Sequence, residues 1–264
     1  MPDLFSSGTI SNEESVMKET IAGTLSFNGQ RCTALKILFV PRDEANNFAE
    51  MVARKVEKLT VALPWEATNG KYSQITPLPN KSRVDYMKAL IEDAVSKGAS
   101  IINNDGGKII GGEDSESTLM IPAVLYPVTS EMRVFEEEQF GPVVPIVGYD
   151  SVEEVLTYAR EGKYGQQVSI FTAANTKPHH QGVAQLVDRF STVFGKININ
   201  SQCGRSPDTA PFSGRRSSAM GVMSVAEALN EFSVPTVVSY KDEGVNADVV
   251  NGVEEYSNFL QPVM

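Results

Sequence analysis

The stretch "FNGQRCTALKILFV", residues 27–40, decides how this chain is read. Its second half, "ALKILFV" over 34–40, is an apolar run of the length of a buried strand, and Pro41 stops it. Upstream, the pattern predicts a helix from Asn12 to Phe27. Ser11 and Glu14 have capping-box spacing, and Met17, Ile21 and Leu25 share one face. Asn28-Gly29 ends that helix, because glycine accepts the left-handed conformation. Cys32 therefore falls between a helix end and a strand start, a position where α/β proteins often carry functional residues.

The alternation continues downstream. A second helix carries Phe48, Met51, Val52, Val56 and Leu59, and a third, over 83–97, carries Val84, Met87, Ile91 and Ala94. Strands are predicted over 99–103, 119–126, 143–149, 167–172, 196–200 and 235–240. The segment 151–162 opens on a second capping box, Ser151 with Glu154, and short helices are expected over 181–191 and 223–231. Together these predict an α/β fold, a mostly parallel sheet with flanking helices. The Gly-rich loop at 104–117 lacks the lysine-serine ending of a P-loop and leads into no helix, so it reads as a surface hairpin. The tail from Asp242 to Met264 is acidic and weakly patterned, and reads as a loose extension.

With 264 residues, 41% of them hydrophobic, the chain can bury a sizeable core. Its formal net charge of -10 argues against a nucleic-acid partner, which needs a basic face. Two cysteines make no disulfide framework, no charge-free apolar run is long enough to span a membrane, and residues 1–15 lack signal-peptide character. A cytoplasmic setting is the expectation.

Cys32 admits two roles, a small core residue or a nucleophile, and composition alone favours packing. A helix C-terminus disfavours a thiolate, and Arg31 offsets that only if its side chain turns toward the sulfur. Cys203, on a loop after a strand, reads as packing. His179 and His180 read as an exposed turn with no partner at metal spacing, so no metal site is assigned.

The wider string changes the balance for Cys32. "FNGQRCTALKILFV" resembles the catalytic-cysteine segment of the aldehyde dehydrogenase superfamily. In the same order, "MRVFEEEQFGPVVPIV" (132–147) resembles its E-E-x-F-G-P motif. "PFSGRRSSAMG" (211–221) resembles its P-F-G-G-x-K-x-S-G-x-G motif, with Ser213 and Ala219 replacing two glycines. The arginine before the cysteine and "KININSQCGRSPDTAPFSG" (196–214) are most similar to the NADP-dependent, non-phosphorylating glyceraldehyde-3-phosphate dehydrogenases.

The resemblance implies an aldehyde dehydrogenase catalytic domain in which Cys32 attacks the aldehyde. Glu138 accepts hydrogen bonds from the nicotinamide ribose of NADP (or NAD), and Phe140 lies near the nicotinamide ring. Arg31 and Arg205 hold the phosphate of a small phosphorylated aldehyde. It implies domains at 20–233 (catalytic, after a lead-in at 1–19) and 234–241 (an oligomerisation-type strand of a homo-oligomer), then the acidic tail 242–264. The family's dinucleotide-binding domain, with its catalytic glutamate and oxyanion asparagine, would precede Met1. An N-terminal dinucleotide-binding partner is therefore expected. Two alternatives stay open: a non-catalytic relict with a binding or structural role, and esterase-like acyl chemistry at Cys32.

Overall fold

The computed structural model describes residues 13–66, 72–112, 116–172 and 177–258. They fall into two compact units, divided after Ser224.

In the first unit, α1 (Glu13–Leu25) ends in a 3-10 turn over Ser26–Gly29, where Phe27 and Asn28 take positive φ. Ser11, the expected cap, lies outside the described residues. Then come β1 (Leu38–Pro41), α2 (Arg42–Val56), α3 (Lys81–Ser96), β2 (Ser100–Ile101) and β3 (Ala123–Tyr126). Next are α4 (Arg133–Glu136), β4 (Val143–Tyr149), α5 (Val152–Glu161), β5 (Tyr164–Gly165), β6 (Gln167–Ile170), α6 (Lys177–Ser191) and β7 (Lys196–Ile199). Three short strands close the unit: β8 (Phe212–Ser213), β9 (Arg215–Arg216) and β10 (Val222–Met223).

The main sheet runs β1-β4-β3-β2, parallel except for the β2/β3 pair. Every residue of β4 is buried, and alternation sorts them onto two faces. Val144 and Ile146 join Val124 of β3 under α1 and α2, with Met17, Phe48 and Val52. Val143 and Val147 join Leu125 under α3, with Met87 and Leu90. Double coverage explains why "VVPIVGY" is apolar throughout instead of alternating.

Beside this sheet, β6 and β7 form a separate parallel pair packed with α5 and α6 around Leu156, Leu186 and Phe190. Among the described residues no ladder joins β6 to β1. Asn80 accepts from the Arg83 N–H at the start of α3, and the expected capping box of Ser151 with Glu154 is complete on α5. The 104–117 loop is the expected hairpin, with a bridge between Ile109 and Met120; residues 113–115 of it lie outside the described set.

Three expectations need correction. His179 and His180 lie within α6 and not on a turn: the helix begins at Lys177, with Pro178 in its first turn, where a proline's missing N–H costs nothing. The second unit holds α7 (Val225–Glu231) and α8 (Asn246–Tyr256), so the acidic tail contains a helix. Between them, 235–240 forms no strand: residues 234–242 carry no regular structure, and Val237 is 85% exposed. A strand needs a neighbouring edge to satisfy its N–H and C=O groups, and none pairs with this segment among the described residues. No helix of the described residues is long and apolar enough to cross a membrane.

Candidate active site

The two sequence motifs meet. The Cys32 segment leads into β1 and the Glu138 segment into β4, and these strands are parallel neighbours with Leu38 opposite Ile146. Both segments therefore approach the sheet from the same, amino-terminal end.

Close backbone contact locks them together. Gly29 sits at φ +69, and a Cβ there would lie 2.6 Å from the Gly141 oxygen and 2.8 Å from the Thr24 oxygen. Gly141 packs on the Met87 sulfur with no room for a side chain. Gln139, buried, reaches across both segments, its Nε2 donating to the Lys36 oxygen (2.8 Å) and the Val143 oxygen (2.9 Å). Asn28 holds the other side: its Oδ1 accepts from the Thr76 N–H, and its Nδ2 donates to the Thr76 oxygen, both at 2.9 Å. Phe140 has positive φ (42°), an uncommon conformation for a bulky residue. Arg83 of α3 fixes it there, donating to the carbonyls of Gln139 and Phe140.

Cys32 is exposed and lines a cavity of ≈ 860 Å³ together with Lys36, Glu138, Phe140 and Cys203. The edges of β1 and β6 that pair with no strand among the described residues border the same cavity. Lys36 is the residue that sequence reasoning missed. Its Nζ lies 3.6 Å from the Glu138 Oε1 and 3.8 Å from the centre of the Phe140 ring, and it donates to the Gly29 oxygen at 3.3 Å. Burial pushes the Lys36 ammonium down to about 8, against the pull of the Glu138 carboxylate. The available signal was a lone charge four residues after the cysteine, inside an otherwise apolar run.

The phosphate-ligand candidates lie elsewhere. Arg31 turns toward the end of α1, where its guanidinium donates to the Ala22 and Gly23 oxygens (3.3 and 3.5 Å). It thus meets the carbonyls whose partial negative charge opposes a thiolate. It also donates to the Gln202 side chain at 3.2 Å, which brings the 202–205 segment alongside, while its Nε has no partner among the described residues. Arg205 is exposed, paired with Asp208 at 3.5 Å and placed over the Phe212 ring. Neither arginine lines the cavity. Cys203 is buried against Ser169 and Asn198, and burial pushes its thiol up. Among the described residues no group of three or more His, Cys, Asp or Glu is placed to hold a metal ion.

Residues 10–238 match the Aldehyde dehydrogenase family. The chain belongs to that family. Among curated relatives it is 35% identical over 208 residues to an NADP-dependent glyceraldehyde-3-phosphate dehydrogenase of Streptococcus equinus, covering 79% of this chain and 40% of that protein. It is 34% identical over 215 residues to the Arabidopsis thaliana enzyme of the same name, covering 81% and 39%. This aldehyde dehydrogenase chain thus spans about 40% of the length of the curated relatives it matches. The crystal structure of the Bacillus halodurans NADP-dependent glyceraldehyde-3-phosphate dehydrogenase, complexed with NADP, aligns with a TM-score of 0.68 and 30% identity, over 83% of this chain and 42% of that one. A succinate-semialdehyde dehydrogenase of Burkholderia pseudomallei aligns with a TM-score of 0.71 and 27% identity, over 84% and 42%.

Proposed function

We propose that this chain is the catalytic segment of an NADP-linked aldehyde dehydrogenase that oxidises a small phosphorylated aldehyde, glyceraldehyde 3-phosphate, to 3-phosphoglycerate. The observation that carries this reading is the convergence of Cys32, Glu138 and Phe140 on one cavity, from two segments locked backbone to backbone. The names of the relatives support the substrate and cofactor.

The residues present fit the nicotinamide riboside half of the cofactor. A carboxylate only accepts, which suits a ribose diol. The ion pair with Lys36 engages Oε1 of Glu138 and leaves Oε2 as an acceptor among the described residues. The Phe140 ring offers an apolar wall beside it. When bound, NADP supplies the hydride acceptor.

In the proposed reaction, the Cys32 sulfur, as thiolate, forms a bond to the aldehyde carbon while the carbonyl π electrons move to oxygen. Loss of hydride from that carbon leaves a thioester on Cys32. Water then adds to the thioester and the C–S bond breaks, releasing the acid and restoring the thiol. The base for this last step comes, in this reading, from an N-terminal dinucleotide-binding partner. The enzyme works in the cytoplasm as a homo-oligomer.

The test is NADP reduction with glyceraldehyde 3-phosphate, using the chain joined with a complementary N-terminal segment. Activity is expected, with a loss of about 10³-fold or more in Cys32→Ser because the covalent route is removed. Unchanged turnover in Cys32→Ser would remove the nucleophile from the proposal. Iodoacetamide should label exposed Cys32 well before buried Cys203; equal labelling would count against a reactive thiol.

A further inference from the structure

We propose that Lys36 makes the Glu138–Phe140 site discriminate between the two redox forms of a nicotinamide, shifting its preference from the cationic oxidised ring toward the neutral reduced one. This rests on the reading of Glu138 and Phe140 as the nicotinamide riboside site.

The geometry places a charge where the two redox forms differ. The Lys36 ammonium stands over the Phe140 ring, 3.8 Å from its centre, and 3.6 Å from the Glu138 carboxylate. An oxidised nicotinamide carries a positive charge, and a reduced one carries none. A ring seated beside Phe140 competes with Lys36 for the aromatic face if it is cationic, since both are drawn by the same negative quadrupole. It also feels the ammonium directly. A second positive charge within about 6 Å, at a dielectric between protein surface and water, shifts a binding ratio by roughly tenfold. The ammonium is held in place at three points: the Gly29 oxygen, the Glu138 carboxylate and the Phe140 ring. It cannot simply swing into solvent without losing all three.

Glu138 acts in the opposite direction, drawing the oxidised ring in. The diagnostic quantity is therefore the change in preference on removing Lys36, not the wild-type preference itself. The charged or titratable groups that face Lys36 are Glu138, Cys32 and Arg83, and its ammonium deprotonates near pH 8 because it is buried. Raising the pH should then act like the substitution.

The experiment titrates the full chain with oxidised and with reduced nicotinamide mononucleotide, followed by NMR. The proteins are wild type, Lys36→Met, Lys36→Arg and Glu138→Gln. Lys36→Met should shift the ratio of the two affinities about tenfold toward the oxidised form at pH 7. Lys36→Arg keeps the charge and should keep the wild-type ratio, which also checks that the site survives substitution. Between pH 7 and 9.5, measured in Cys32→Ser proteins so that the thiol contributes no charge, the Lys36 protein should drift toward the Met ratio while the Arg protein stays flat. An unchanged ratio in Lys36→Met, or the same shift in Lys36→Arg, overturns the proposal. Absence of binding by either form, or binding indifferent to Glu138→Gln, overturns the site reading itself and the proposal with it.

Discussion

Gly29→Ala tests whether the Cys32 and Glu138 segments are fused by their backbones. Two penalties add at this position. At φ +69 an L-residue pays roughly 1 kcal/mol relative to glycine. The new Cβ would also sit 2.6 Å from the Gly141 oxygen and 2.8 Å from the Thr24 oxygen. Both are backbone atoms, one in the Glu138 segment and one in α1, so neither can rotate away. Relieving the overlap means separating the segments by several tenths of an ångström, at a cost typical of overpacking, about 1–3 kcal/mol. The total is about 2–4 kcal/mol. Gly98→Ala is the internal control: its φ is +103, but nothing lies within 4 Å of its Cβ, so it carries the backbone penalty alone. Urea unfolding of both variants, read by circular dichroism, gives the two values. The expected order is Gly29→Ala worse than Gly98→Ala by about 1–3 kcal/mol. The alkylation rate of Cys32 should change in the first variant and not in the second. Equal destabilisation of the two would refute the idea that the contact between the segments is rigid.

Other substitutions probe the surroundings. Asn28→Ala leaves the Thr76 N–H and carbonyl without their partner in a half-buried setting and should cost about 1–2 kcal/mol in urea unfolding. Arg42→Ala removes an ion pair in which Nε meets both Asp150 oxygens, but both side chains are exposed, so the change should stay under about 1 kcal/mol. Lys36 has a folded pKa of about 8, below its unfolded value, so the fold disfavours its charged form. Between these values the unfolded chain holds the proton and the folded chain does not, and the Lys36 contribution to stability therefore rises with pH. The stability of wild type relative to Lys36→Met should rise by about 1.5 kcal/mol from pH 8 to 9.5. A constant difference over that window would show that Lys36 does not titrate there.

The parts of the fold that the sequence made legible are those where local signals and packing agree. The apolar run at 143–149 is a strand over the whole of its predicted length because two helical layers cover it. Ser151 and Glu154 mark the start of α5 through bonds made within four residues. The segment 235–240 carries the same β-branched signal but finds no edge among the described residues, and strand formation depends on a partner that propensity does not contain. Cys32, Glu138 and Phe140 were found through distant motifs and share the cavity. Lys36 was not, because a single lysine near a strand start is ordinary until a carboxylate and a ring are folded against it. Arg83 escaped for the same reason: its role lies in two carbonyls more than fifty residues away.

The parallel pairing of β1 and β4 has a further meaning for how this site tolerates sequence change. Thiol and carboxylate are carried on two lead-ins feeding adjacent strands from one end, so the ladder acts as a vernier between them. A one-residue deletion in 33–37 or in 139–142 would slide one lead-in by about 3.3 Å against the other and turn alternate side chains to the opposite face. Substitutions within the lead-ins keep that alignment, whereas changes in their length destroy it. The spacing from Cys32 to Leu38, and from Glu138 to Val143, is thus as much a part of the site as the side chains themselves.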